Sequence, residues 1–366
     1  MEEFKNILTY LDEYGDISLE ESPFNDVDAL VLAELAYFPF NKISGEKKII
    51  KKADINKFIY DRNSSSLAKR KIKDNFLITK FIHSKRFSDV KIGYFVKDKS
   101  RESEKQFQAV AFIFKDMIFV GFAGTDASVV GWKEDLNLSF QNEIPSEISA
   151  LAYLNTTLKR FRLKPVIVAG HSKGGLLSIY ASKNTKNNKR ISKIYSFDGP
   201  GFQDDFYDEK YEEISSKIIK IIPSESIIGR LFHKDINVMV IKANSRSILQ
   251  HDAYNWIVED NHFILEEGEM SEHVSQIINR CNNDFSFEEK KIVVDTIYDL
   301  FTELNITKFG NIDYNKVLMK NALRHLKEAY RTLSKERKAV LKDFIALLIK
   351  TTFQEYLSKK EKIKLK

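Results

Sequence analysis

The sequence predicts an α/β fold in which a mostly parallel sheet is covered by helices on both faces and followed by a C-terminal all-helical appendage. Three observations predict it. Two β-rich runs, QAVAFIF and MIFVGFA, begin at about Phe107. Short apolar strand signals then alternate with helical stretches as far as Ile241, the pattern of parallel strands joined by crossover helices. Beyond about Ser271 the strand signals stop. Two domains are implied: 1–270, carrying the sheet and an N-terminal helical segment, and 271–366, a helical region.

The elements follow in chain order. After Pro23, Asn25 is placed to cap a helix carrying Val27, Leu30, Val31 and Leu35, with Pro39 just past its end. Lys115-Asp116 separates the two β-rich runs and reads as a hairpin turn. A helix is expected from about Ser146 to Arg160, a buried strand at Val166 to Ala169, and another helix from about Lys173 to Lys183. Further strands are expected at Lys193–Phe197, Lys217–Ile222 and Ile236–Ile241. In the appendage, Ser286 and Glu289 have capping-box spacing, and Val293, Ile297, Leu300 and Leu304 recur at helical steps. A second helical stretch carries Leu323, Leu326, Tyr330 and Leu333, then Val340, Phe344 and Leu347. These helices could cover the sheet or dock a partner.

Composition bounds the function. Of 366 residues, 43% are hydrophobic and 30% charged, with 27 Phe and 15 Tyr, enough to bury a large core. The net charge of +6 comes from lysines and arginines interleaved with 52 acidic residues, without the aromatic-basic motif of a nucleic-acid module, so nucleic acid is not an expected partner. The basic tail, Lys359 to Lys366, reads as a solvated end, with contact to an anionic membrane or lipid surface as the alternative. The N-terminal stretch lacks an apolar h-region and no apolar run is long enough to span a bilayer, which gives a cytoplasmic address by default and signal-free secretion as the alternative. The single cysteine, Cys281, suits a reducing compartment and reads as a small core residue.

The strongest chemical signal is Gly170-His171-Ser172-Lys173-Gly174, followed by Gly175. It comes straight after an apolar strand and opens a helix, the context of a nucleophile elbow. Such a turn holds a serine in a strained conformation at a helix N-terminus, and glycines flank it because a β-carbon would strike the neighbouring elements. Ser172 is the expected nucleophile, and the backbone amide of Lys173 an oxyanion donor. The Lys173 side chain is expected to reach solvent. Serine needs a general base, usually histidine. His171 adjoins the nucleophile and should point away, His83 precedes the sheet, and His325 lies in the appendage. His251, shortly after the last strand signal, sits where the chain order serine, acid, histidine places a base, with His233 and His262 as alternatives.

These residues resemble the class 3 (fungal-type) lipases of the α/β-hydrolase superfamily, which carry a similar G-H-S-x-G-G elbow. Phe122-Ala123-Gly124-Thr125 and the downstream Gly131-Trp132-Lys133-Glu134-Asp135-Leu136 look like the F-R-G-[ST] and W-x-x-D-L segments of those enzymes. The resemblance runs from roughly Phe119 to Trp256 and is closer still to a group of lipase-like bacterial proteins. It implies an ester hydrolase acting through an acyl-enzyme, with Thr125 as counterpart of the second oxyanion donor; Ala123 stands where the family usually has arginine. His251 and Tyr254 match the family's H-x-x-Y segment. The acid departs from the pattern: where class 3 lipases place aspartate, this chain has Ser226-Ile227-Ile228-Gly229, with Glu225 one residue earlier. Asp198, in Asp198-Gly199-Pro200-Gly201-Phe202, resembles the acid segment of pancreatic-type lipases and is the expected third member, with Glu225 second. Asp252 adjoins the base and rarely could fold back onto it.

No metal motif and no phosphate-cradling glycine loop appears, so neither metal nor cofactor is implied. The expected substrate is a small-molecule or lipid ester. Ile227, Ile228, Leu231 and Phe232, just past a strand end, would line an acyl pocket or a lid, or form a short buried helix. Two rival readings are a hydrolase-fold binding protein without catalysis, suggested by the displaced acid, and an antibacterial lipase toxin exported without a signal. Nothing in the sequence fixes an oligomeric state.

Overall fold

A computed structural model of the chain describes residues 4–44, 48–55, 69–126, 128–138, 141, 143–231, 237–266, 284–303, 330–331 and 333–347. Phe232, His233, Cys281, Leu304, Leu323, Leu326, His325 and the basic tail lie outside the described residues, as do the side chains of Ile297 and Leu300.

The chain divides into two compact units, the first made of 1–99, 106–124 and 145–270, the second of 100–105, 125–144 and 271–366. In the first unit, Asn6 caps helix α1 (Ile7–Tyr14) and Asn25 caps helix α2 (Asp26–Leu35), each accepting from the amides of the first turn. Helix α2 is buried on every side from Val27 to Leu35, so it behaves as a core element rather than an amphipathic cover. Of its three acids, Asp28 and Glu34 are buried, and a buried carboxylate needs partners. Asp28 receives a two-pronged contact from Arg86, Nε to Oδ1 at 2.6 Å and Nη2 to Oδ2 at 2.5 Å, with both side chains wholly buried. The remaining guanidinium hydrogens go to the carbonyls of Ile17, Ser22 and Pro23, and Tyr10 donates to Asp28 at 2.8 Å.

The sheet runs β1 (Ile49–Lys51), β2 (Lys91–Ser100), β3 (Lys105–Ile113), β4 (Ile118–Phe122), β5 (Val166–His171), β6 (Ile191–Phe197), β7 (Ile218–Pro223) and β8 (Val238–Ile241), in that spatial order. The pairs from β4 to β8 are parallel, whereas β3 and β4 form the antiparallel hairpin expected around Lys115-Asp116. Helix α3 (Lys69–His83) connects the early strands. Helices α4 (Val129–Asn137) and α5 (Pro145–Arg160) fall between β4 and β5; α6 (Lys173–Asn184) follows β5, and α7 (Glu209–Ser215) follows β6. Helix α2 packs on one face against β4 and β5, and α6 packs on the other against β4, β5 and β6. A sheet covered this way hides both faces of its central strands, and every residue of β4 and β5 is buried. The architecture is that of the α/β-hydrolase fold. A small ribbon of Val258–Glu259 and His262–Phe263 follows the last strand.

In the second unit, α4 packs on α8 (Phe287–Glu303), whose first turn carries the capping box: Ser286 N donates to Glu289 and Glu289 N to Ser286 Oγ. Lys133 joins them, its Nζ 2.6 Å from Glu104 and 2.9 Å from Asp295, over the ring of Tyr298. Phe285 and Val293 meet Val340 from the helical segment 335–347. Among the described residues, no helix is long and apolar enough to cross a membrane.

Removing the cation from the Asp28–Arg86 pair leaves a buried carboxylate uncompensated. Arg86→Met is predicted to lower unfolding free energy by about 3–5 kcal/mol, read as a shift of the urea midpoint. An unchanged midpoint would show that the pair is not needed to hold α2.

Candidate active site

The site is built at the carboxyl ends of β5 and β6. Strand β5 crosses α6 so closely that a β-carbon at Gly170 would strike the backbone of Gly174, and one at Gly174 would strike the Phe122 carbonyl. The turn between them must therefore be sharp. Ser172 takes it with φ 59° and ψ −131°, a region costing a side-chain-bearing residue about 1–3 kcal/mol. Its amide donates to the Phe197 carbonyl at 2.9 Å and its own carbonyl accepts from Gly175 at 2.9 Å, so the strained backbone is pinned on both sides. The side chain is half-buried at the N-terminus of α6, where the helix dipole favours negative charge.

Asp198 follows β6, whose register pairs Phe197 with His171. This puts Asp198 beside Ser172 on neighbouring parallel strands, and it too has a left-handed backbone, φ 46°. The carboxylate is completely buried. Its Oδ2 lies 2.6 Å from His251 Nδ1. Its Oδ1 accepts from the Ser226 hydroxyl and, at 3.1 Å, from the Gly229 amide. Gly229 N also donates to Ser226 Oγ at 2.9 Å, which aims that hydroxyl's hydrogen at the carboxylate. Arg230 is buried next to this cluster and donates to the Ser224 carbonyl. Burial pulls the Arg230 guanidinium below its ordinary pKa, while Asp198 and Glu225 pull it the other way. The alternative acid, Glu225, is exposed, and its amide is held by Gln250 Oε1 at 2.7 Å.

His251 ends a short 3-10 turn and is one quarter exposed. The surrounding segment is tied down on several sides. Gln250 Nε2 donates to the Ser245 carbonyl, Trp256 Nε1 to the Gln250 carbonyl at 2.7 Å, and Asn6 Nδ2 to the Tyr254 carbonyl at 3.0 Å. Tyr254, in step with His251, donates to Asp74, and Asp252 is engaged by Lys73 at 2.9 Å. Underneath lies His171, whose ring centroid is 4.7 Å from that of His251 and whose Nε2 is 2.9 Å from the His251 carbonyl. Of the other histidines, His83 is exposed and bonded to the Thr79 carbonyl, and His262 is exposed on the small ribbon.

Lys173 corrects the expectation of a solvent-reaching side chain. It is 2% exposed, and its ammonium donates to Gln106, to the carbonyl at 2.8 Å and to the side-chain oxygen at 3.1 Å. Ser146 Oγ shares the same carbonyl. The reason is that Gln106, at the start of β3, offers the ammonium two acceptors that satisfy it away from water. Gly124 packs against Ser172, since a β-carbon there would lie 2.5 Å from the His171 carbonyl oxygen and 2.9 Å from Ser172 Cβ. Thr125, the next residue, belongs to the second unit, where its hydroxyl donates to Asp135. Ile227, Ile228 and Leu231 are half-buried around a 3-10 turn over Ile228–Arg230, and Leu231 O accepts from the Gly201 amide at 2.7 Å.

Three contacts escaped the sequence reading: His171 beneath His251, the buried Lys173 brace, and the hydrogen bond from Ser226 to Asp198. Strand alternation held the signal for the first, because His171 shares a face of β5 with Ile167 and Ala169, the face that α2 covers. Among the described residues, no group of three or more histidine, cysteine or acidic side chains could hold a metal ion.

A family model described as Mbeg1-like matches residues 81–299, more than half of the chain. No curated protein matches the sequence. Among solved structures, the chain is similar to a triacylglycerol lipase whose catalytic centre is formed by a serine protease triad, at 15% identity and TM-score 0.37, over 59% of this chain and 78% of that one. Lipase II from Rhizopus niveus is similar at 16% identity and TM-score 0.36, over 66% and 94%. The Lip2 lipase from Yarrowia lipolytica is similar at 13% identity and TM-score 0.34, over 50% and 83%.

Ser226 donates a hydrogen bond to a buried charge, and its loss strands part of that charge. Ser226→Ala is predicted to destabilise the fold by about 1.5–3 kcal/mol in urea unfolding, and a shift near zero would contradict the hydrogen bond.

Proposed function

The chain belongs to the Mbeg1-like family, and from its elbow and acid–imidazole pair we propose that it is a serine hydrolase of carboxylic esters. The observation that carries the proposal is the 2.6 Å approach of Asp198 to His251 Nδ1, on the strand-end rim where Ser172 is held in its strained turn. With Nδ1 facing a carboxylate, that nitrogen keeps its proton, and Nε2 is left with the lone pair a general base requires.

In the proposed reaction, Ser172 Oγ attacks the ester carbonyl as His251 Nε2 takes its proton. Asp198 stabilises the imidazolium, and its own charge is supported by Ser226 and Gly229. The tetrahedral oxygen accepts from the Lys173 amide at the start of α6. Collapse expels the alcohol, which receives the proton from His251 and leaves an acyl group on Ser172. Water then attacks the acyl-enzyme with His251 again as base, releasing the carboxylic acid and restoring the hydroxyl. A carboxylate in contact with the imidazole supports this reading over that of a binding protein without catalysis. The half-buried Ile227, Ile228 and Leu231 support an apolar acyl chain as the acid part of the substrate.

A fluorophosphonate probe is expected to label the wild type at Ser172 and to leave Ser172→Ala unlabelled, while His251→Ala labels more slowly by about 10³-fold or more. Equal labelling of Ser172→Ala would overturn the assignment. Across nitrophenyl esters, kcat/KM is expected to rise from acetate to octanoate; a strict preference for acetate would contradict the acyl-chain reading.

A further inference from the structure

We propose that His171 is a positioning residue that fixes the base relative to the nucleophile from below, through the hydrogen bond from its ring to the main chain of His251. This rests on the reading of Ser172 and His251 as nucleophile and base. His171 is the residue immediately before Ser172, so its backbone leads directly into the elbow. It is 3% exposed. Its Nε2 faces the His251 carbonyl at 2.9 Å, and a carbonyl oxygen can only accept, so the proton must sit on Nε2. That leaves Nδ1 for the other side of the ring, where Glu34 Oε1 lies at 3.4 Å and the Tyr37 hydroxyl at 3.1 Å. Tyr37 OH also reaches the His171 carbonyl, 3.3 Å away.

Glu34 sits on the all-buried α2 with its side chain wholly inaccessible. With the proton on Nε2, Nδ1 accepts from the Tyr37 hydroxyl; that contact fixes the orientation of the ring, and the ring holds the base. The two histidine rings lie 4.7 Å apart at 32°, with Trp256 at the edge of His171.

The two constraints on His251 are independent. Asp198 grips the imidazole and sets its rotation, whereas His171 grips the main-chain carbonyl and sets where the residue sits. For the base to drift from Ser172, a hydrogen bond made by the nucleophile's own neighbour would have to break. Displacements of about 1 Å in such arrangements cost about 10²-fold in rate, so this is where a positioning effect would be read.

The test compares His171→Leu, which has no donor, with His171→Gln, whose amide can replace Nε2–H. Expected for His171→Leu is a kcat lower by about 10²-fold with KM within about twofold, and for His171→Gln recovery of most of that loss. Equal kcat in the Leu variant and wild type, or a Gln variant as impaired as Leu, would overturn the proposal. Nitrogen-15 NMR of the wild type gives a readout independent of variant folding: His171 Nε2 is expected to carry a proton, and an unprotonated Nε2 would overturn it too. His251→Ala run alongside separates the two levels. If it loses reactivity while His171→Leu does not, only the positioning role fails; if it retains reactivity, the assignment of the base fails.

Discussion

Strand β5 and helix α6 approach so closely at Gly170 and Gly174 that the chain between them has one way to turn. That contact puts Ser172 in a left-handed conformation, sends Lys173 inward and leaves the His171 ring on the opposite face of the sheet. The strain of about 1–3 kcal/mol at one residue is small beside the burial of the surrounding strands, where each fully buried aliphatic side chain contributes about 1.5–3 kcal/mol. The turn persists because β4, β5 and β6 leave no space for an alternative.

Support for the acid follows the same logic of neighbouring strand ends. In the class 3 resemblance the aspartate belongs after β7, and here that position holds Ser226. The carboxylate that meets His251 is Asp198, after β6, and Ser226 points its hydroxyl at it. Two adjacent strand ends thus meet at one point, one giving the carboxylate and the other a hydroxyl that donates to it. An exposed Glu225 would have to hold an imidazole in competition with water, where carboxylate contacts are weak.

Much of this was legible in the sequence because it rests on local rules. The Asn25 cap, the hairpin at Lys115-Asp116, the apolar run of β5, the helix at Lys173 and the Ser286–Glu289 capping box each follow from a few neighbouring residues. What was not legible depends on distant partners. Lys173 is polar by composition and buried only because Gln106, far back in the chain, offers it two acceptors. Helix α3 and the short strand β1 carry no strong periodic signal and are fixed by packing. Segments 100–105 and 125–144 grouping with the C-terminal residues is likewise a tertiary fact that no stretch of sequence announces. His171 points away from Ser172, as alternation along β5 requires; that its ring then lies between α2 and the His251 carbonyl depends on distant parts of the chain.

The coupling of Asp198 to the imidazole is tested most directly by pre-steady-state hydrolysis of a nitrophenyl ester. The wild type and Glu225→Gln should each release a rapid burst of about one nitrophenolate per chain as the acyl-enzyme forms, while in Asp198→Asn the burst phase should slow by about 10⁴-fold. A fast burst in Asp198→Asn, or its loss in Glu225→Gln, would contradict the pairing of Asp198 with His251 as the source of the serine's reactivity.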